Sequence, residues 1–295
     1  RIFDCFMYFN EDLILDIRLN ELYDKVYKFI IVESCFTHSG EKKSFNFDIN
    51  NFKKFSDKIQ YIKVYDNPTN LVDIDPKDKN KHKSIPHYLN AIKIENFQRN
   101  CLSRGLGSAE EDDMILVSDL DEIPNLKIVD LNKYKDKIIL FKQYFFQYKF
   151  NLFLDNFFFF GTKACIKKNF LSPQWLRNIK NKKYGFYRLD TLFSKSKYKN
   201  VHIVEKGGWH FTNIMSPEKL EYKLKSYLHY QEIPQSMNKD NIAELINNKK
   251  LNYDHYADKR SNRYVEKDLS FFNADLLPDY IKNNKYKFDE WFYKS

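Results

Sequence analysis

The chain has 295 residues, 43% of them hydrophobic, which is enough for one large domain with a real core; no run of about 18 apolar residues is present to cross a membrane. Its net charge is +9, but the basic residues are dispersed, densest at Lys180-Asn181-Lys182-Lys183, and no zinc-finger or RNP-like motif accompanies them, which argues against nucleic acid as the partner. Four cysteines without paired spacing exclude a disulfide framework, and Cys5, Cys35 and Cys165 lie in apolar runs as buried thiols would.

Residues 2–9 read as a strand. A helix over about 11–25 follows, capped by Asn10, with Leu13, Ile17 and Leu22 on its apolar face. Residues 28–33, with Phe29-Ile30-Ile31-Val32, form a second strand, and 58–65 a third. Residues 68–82 are polar and rich in Pro and Asp, a loop. Ser84-Ile85-Pro86 starts a helix that runs to about residue 102, and 113–117 is the fourth strand. Strands alternating with helices predict a parallel α/β sheet. The second half is aromatic and β-prone over 138–150 and 156–167, which extend that sheet or form a hairpin beside it. Residues 175–179 predict a short helix, 201–204 and 208–211 short strands. A helix over 217–230 opens with Ser216 as cap and Pro217 at its first position, and helices over 240–248 and 277–291 close the chain. The chain begins at Arg1 rather than Met, which leaves room for a segment upstream.

The most informative run is Ser118-Asp119-Leu120-Asp121-Glu122, directly after Met114-Ile115-Leu116-Val117. Asp119 and Asp121 are two apart, so on continuing strand geometry they point the same way. Two carboxylates at the carboxyl end of a buried strand suit Mn²⁺ or Mg²⁺, at the edge where open α/β sheets bind ligands. A metal there can neutralise a diphosphate leaving group. The bland alternative is a solvated turn, but the run is short, dry and sharply bounded by Asp112-Asp113 and Ile123-Pro124.

Other residues converge on the same chemistry. In Gln98-Arg99-Asn100, a helix folding back on the strand brings Arg99 within reach of a diphosphate, with Asn100 beside it; the alternative is a surface pair between Arg99 and Glu95. Gly207-Gly208-Trp209-His210-Phe211 offers close backbone approach, a flat indole to stack on sugar, and an imidazole as a further metal ligand. A satisfied core or surface histidine is the alternative for His210. Glu33, ending the second strand, can hold ribose hydroxyls or a base, or merely cap a loop. Arg177 is a phosphate contact or a packing residue. No P-loop, Rossmann fingerprint, nucleophile elbow or HExxH is present.

Taken together, these segments resemble glycosyltransferase family 17. The resemblance rests on Asp4-Cys5-Phe6, Asp16-Ile17-Arg18-Leu19-Asn20-Glu21-Leu22, Val32-Glu33-Ser34 with Thr37-His38, Gln98-Arg99-Asn100, Ser118 to Pro124, Gly207 to Phe211, and Leu277-Pro278-Asp279-Tyr280-Ile281, in the family's order over nearly the whole chain. It implies an α/β, GT-A-like nucleotide-diphospho-sugar transferase fold, with a mixed, mostly parallel central sheet flanked by helices. It implies one catalytic domain, with a nucleotide-binding half (1–125) and an acceptor-binding half (126–295). It further implies inverting transfer of N-acetylglucosamine from UDP-GlcNAc to a glycan or glycoprotein acceptor, a β-linked mannose in the animal enzymes. The short, Lys/Asn-rich loops look closer to compact bacterial or viral members, which leaves the acceptor open; such a chain would be cytoplasmic, whereas an anchored eukaryotic one would lie in the Golgi lumen.

On this reading Asp119, Asp121 and His210 hold the metal, Glu33, Arg99, Asn100 and Trp209 hold the donor, and Glu232 in His229-Tyr230-Gln231-Glu232 is the candidate general base. Two other classes stay open at this stage: a non-catalytic carbohydrate-binding protein using its many Tyr and Trp, and a nucleic-acid binder using its charge. A sugar nucleotidyltransferase shares the same metal-and-nucleotide sheet.

Overall fold

Continuous apolar runs become strands buried on both faces. The computed structural model describes residues 1–74, 84–185, 187–191, 193–226, 238–251 and 267–294. In it β1 (Ile2–Met7), β2 (Lys28–Ser34), β3 (Ile59–Val64) and β4 (Met114–Asp119) lie in the order β3-β2-β1-β4, every pair parallel. Helices α1 (Asp12–Leu22) and α2 (Ile85–Asn100) are packed against this sheet. Strand alternation sorts the core into two layers. Phe6, Ile31 and Leu116 join Leu15, Ile17 and Leu19 of α1 on one face; Cys5, Ile30, Val32 and Val117 join Leu102 on the other.

The second half extends the same sheet beyond β4, with a mostly different strand direction. β6 (Ile138–Gln147) and β7 (Leu152–Ile166) form an antiparallel hairpin with two register shifts, and β7 runs antiparallel to β4. After the short helix α3 (Pro173–Asn178), β8 (Val201–Val204) and β9 (Gly208–Thr212) both pair in parallel with β6. The sheet then ends on β5 (Glu122–Pro124), antiparallel to β9. β5 is the direct continuation of β4 after two residues. The order β4-β7-β6-β9-β5 therefore curls the sheet until its last strand returns to the end of β4. The glycines of the 207–211 segment serve this closure. Gly208 takes φ +136°, and a Cβ there would fall 2.2 Å from the Ile123 carbonyl oxygen. They allow strand to approach strand, a correction to the expectation of approach to a ligand.

A third apolar cluster joins Phe145, Tyr148 and Leu152 to Leu220 of α4 (Pro217–Ser226) and Ile242 and Ile246 of α5 (Lys239–Asn247). At the carboxyl end α6 (Asp279–Asn283) stops at Asn284, which leaves helical geometry at φ −123° and ψ 34°. A 3₁₀ stretch, Lys285–Trp291, follows, so the single helix expected over 277–291 is broken in two. Asn10 does not cap α1: the flanking residue is Glu11, whose Oε2 accepts from the Phe9 and Asn10 N–H groups at 3.3 and 3.0 Å. The helix expected to reach residue 230 is described to Ser226, and most of the 68–82 loop lies outside the described residues. All four cysteines are free; Cys5 and Cys165 are buried as expected, Cys101 is buried too, and Cys35, just after β2, is half-exposed rather than buried. Among the described residues no helix is long and apolar enough to cross a membrane.

One charge is sealed inside the first layer. Arg18 of α1 is fully buried, with its guanidinium carbon 4.5 Å from the Phe6 ring centroid. Its Nε and Nη2 donate to the two oxygens of Asp4 at 2.8 and 2.6 Å, and Nη2 also to Ser118 Oγ at 2.6 Å. Its Nη1 donates to the carbonyls of Asp119, Leu120 and Glu122 at 3.2, 3.0 and 3.0 Å. Arg18→Met strands the Asp4 carboxylate and these carbonyls in the interior. It should cost roughly 3–5 kcal/mol of unfolding free energy, measured by urea titration. A loss below about 1 kcal/mol would show that the buried pair does not support the fold.

Candidate active site

Strand alternation aims the first of the two expected carboxylates, and a turn aims the second. β4 ends at Asp119 and β5 begins at Glu122, so Asp121 sits in the turn, whose carbonyls Arg18 grips from below. Asp119 is odd-numbered in β4, like Ile115 and Val117, and so faces the α2 side of the sheet. There two arginines meet it. Arg99 of α2 donates to Asp119 Oδ1 at 3.1 Å and Arg177 of α3 to Oδ2 at 3.2 Å. Each arginine is itself positioned by neighbours: Arg99 by Glu95 at 2.6 Å and Gln174 at 2.7 Å, Arg177 by Glu122 at 2.6 and 2.8 Å and the Gly161 carbonyl at 2.7 Å. Glu122 also accepts the Asp119 N–H at 2.9 Å, which locks the turn. Burial works against ionisation of Asp119, but the two guanidiniums outweigh it and hold the carboxyl well below the usual carboxylate range.

Asp121 faces a second partner. His210 of β9 lies opposite, with Nε2 3.4 Å from Asp121 Oδ1 and 3.0 Å from Thr212 Oγ1. Burial lowers the imidazole, yet the carboxylates, Asp121 first, more than offset it, so its pKa is raised above the ordinary value. His210 Nδ1 is buried without a hydrogen-bond partner. Lys223 of α4 closes this side through Glu11 at 3.1 Å, and burial, which opposes its charge, is outweighed by Glu11 and Asp121. His38 completes the wall beside Glu95, Arg99 and Asp119; burial favours its neutral form and lowers its pKa.

Five carboxylates (Glu11, Glu95, Asp119, Asp121 and Glu122) thus face three permanent cations, Arg99, Arg177 and Lys223. The oxygen-rich donors would suit a divalent cation at Asp121, with Asp119 adjacent and His210 Nε2 opposite. Among the described residues no three His, Cys, Asp or Glu side chains are already gathered around one metal position. Cations of this kind are commonly held by one or two carboxylates and completed by ligands from a bound molecule, so a metal at this sparse donor set would need such further ligands.

The remaining expected residues lie elsewhere. Trp209 is buried in the core, its indole N–H donating to the Leu276 carbonyl at 2.8 Å. It cannot stack on a sugar, because alternation along β9 turns it away from His210. Glu33 is fully enclosed: its oxygens accept from Lys43 Nζ (2.5 Å), the Asn46 and Phe47 N–H groups (2.7 and 3.0 Å) and Tyr61 OH (2.8 Å). It anchors the 43–47 loop, which corrects its assignment to ribose. Asn100 is exposed and accepts the Gln174 N–H at 3.1 Å, joining α2 to α3. Glu232 lies outside the described residues. The roles of Arg18, Glu122 and Lys223 were missed. A lone arginine amid the apolar residues of α1 was the available signal for Arg18; nothing local marked Lys223.

Comparison with known proteins agrees with the chemistry. A family model matching residues 1–291 makes the protein a glycosyltransferase. Within that class, the chain belongs to Glycosyltransferase family 17, as the segments that resemble it implied. No curated protein matches it. Among solved structures it is similar to a Francisella tularensis 2-C-methyl-D-erythritol 4-phosphate cytidylyltransferase, at 12% identity over 75% of this chain and 98% of that one, with a TM-score of only 0.30.

Beneath Arg177 lies another buried cation. Lys163 Nζ donates to the Arg177 and Ile179 carbonyls at 2.7 and 2.5 Å, and burial pulls its pKa down to about 7. The folded state therefore binds fewer protons here than the unfolded chain between about pH 7 and pH 10. The charged amine costs stability below that window, and the cost fades as pH rises through it. Compared with wild type, Lys163→Met should lose roughly 2 kcal/mol of relative stability between about pH 6 and pH 9 in urea unfolding. A pH-independent difference would mean the amine does not titrate in this range.

Proposed function

We propose that this glycosyltransferase moves N-acetylglucosamine from UDP-GlcNAc to a glycan acceptor with inversion, using Mn²⁺ or Mg²⁺. The observation that carries the reading is the pair of arginines, Arg99 and Arg177, converging on Asp119 at the carboxyl ends of parallel strands, with Asp121 and His210 alongside. Open α/β sheets bind nucleotides at that edge, and guanidinium forks match diphosphate oxygens.

Asp121 and His210, with Asp119 adjacent, would hold the cation, whose chemistry is to neutralise charge on the departing diphosphate. Arg99 and Arg177 supply fixed positive charge to the same oxygens, kept in place by Glu95, Gln174 and Glu122. Lys223 adds a further cation from the α4 side. The acceptor hydroxyl attacks the anomeric carbon opposite the leaving group and gives its proton to a general base, for which Glu232 is the candidate. A β-linked mannose as acceptor follows the family resemblance.

Thermal unfolding with a panel of nucleotide sugars tests the donor. UDP-GlcNAc with Mn²⁺ should stabilise the protein by about 2.7 kcal/mol at a hundredfold excess over its dissociation constant, and either component alone by much less. Equal shifts with every nucleotide sugar, or none, would sink the donor assignment. Asp121→Asn should lower sugar transfer by at least about a hundredfold with the unliganded melting temperature retained. Full metal-dependent activity in that variant would contradict the proposal.

A further inference from the structure

Residues 180–200 hold seven basic residues against the single acid Asp190, so two-thirds of the chain's net +9 is concentrated in one loop. The loop is built on a firm base. The Lys180 N–H donates to the Ser196 carbonyl at 2.7 Å and closes its neck. Tyr198 pins it to α3, its hydroxyl accepting from the Trp175 indole at 3.1 Å and its ring standing edge-on to that indole. Asp190 is paired with Arg188 and Lys197, each at 2.7 Å. Lys182, Lys183 and Lys195 are exposed.

The same loop displays large apolar side chains to solvent: Phe193 is 91% exposed, Tyr187 72% and Leu189 68%. A loop serving only solubility would not carry them. Lysines as compact point charges beside exposed aromatic and aliphatic tips match an interface that is anionic outside and oily beneath. An RNA or an acidic glycan would reward the charge and the rings but offers nothing to Leu189. We propose that the 180–200 loop docks the enzyme on the anionic surface of a lipid bilayer, its lysines meeting lipid phosphates and Tyr187, Leu189 and Phe193 entering the headgroup boundary. Lys182, the first of the docking residues, follows Arg177 by five residues, so at most about 18 Å of chain separates it from the arginine that faces Asp119. Docking therefore brings the cleft to acceptors held at the membrane. The inference does not depend on the sugar or the metal.

The test is sedimentation of the whole chain with phosphatidylcholine vesicles, with and without about one-third phosphatidylglycerol, at physiological salt. The protein should pellet with the anionic vesicles and stay in solution with the neutral ones. The triple change Lys182→Gln, Lys183→Gln, Lys195→Gln should weaken the partition on the order of a hundredfold, about fivefold for each lysine. Phe193→Ser should weaken it roughly tenfold with the melting curve unchanged, because the ring makes little contact with the fold. No pelleting, or equal pelleting with neutral vesicles, overturns the proposal. So does binding to an RNA oligomer that survives Phe193→Ser while vesicle binding is absent.

Discussion

Arg18 is enclosed beneath the turn between β4 and β5, and the placing of Asp119 and Asp121 depends on it. Three backbone carbonyls of that turn point inward, where water does not reach, and each needs a donor. A planar guanidinium supplies five N–H groups in fixed directions, enough to bind three carbonyls, the Ser118 hydroxyl and the Asp4 carboxylate at once. Asp4 in turn keeps the cation from being buried alone, which a protein interior does not tolerate. β1, α1 and the turn are thereby fixed to one another, and Asp119 and Asp121 inherit their positions from the interior.

Above this foundation the charges alternate in space. Asp119 lies between two arginines, and each arginine is flanked by a further carboxylate, Glu95 or Glu122. No guanidinium in this array is saturated by a single partner, so each can turn part of its donor capacity toward an incoming anion without being left unpaired. The array spans α2, β4, β5 and α3, elements far apart in sequence. It exists only once the first-half sheet and the β6–β7 hairpin have come together.

Much of the first-half frame was legible because its strands are continuous apolar runs bounded by polar turns, and its helices carry recognisable starts. The hairpin of the second half was legible from its aromatic β-prone runs. What escaped was whatever depends on long-range pairing. Strand alternation suggested that Asp119 and Asp121 point together, but the strand stops between them, because β5 must leave to meet β9. Trp209 and His210 were read as one cluster, although neighbours on a strand face opposite sides. Glu33 stands at the carboxyl end of its strand, as expected, but the 43–47 loop folds back over it with two N–H donors and a lysine, a contact that no local pattern announces. Arg177 was left between phosphate and packing roles; its distance from Asp119 is set by the β7–α3 geometry, which composition does not encode.

The return of β5 to the end of β4 limits how such an enzyme can diversify. The last strand has three residues, its neighbour β9 carries a glycine that tolerates no added carbon, and the link to β4 is two residues long. An insertion there would slip the register of both halves at once, so the segment resists lengthening. Change is easier to accommodate away from this seam, in the connection after α3, whose side chains are largely exposed. Laboratory evolution aimed at altered products would reach folded variants fastest by randomising that connection and holding residues 118–124 constant.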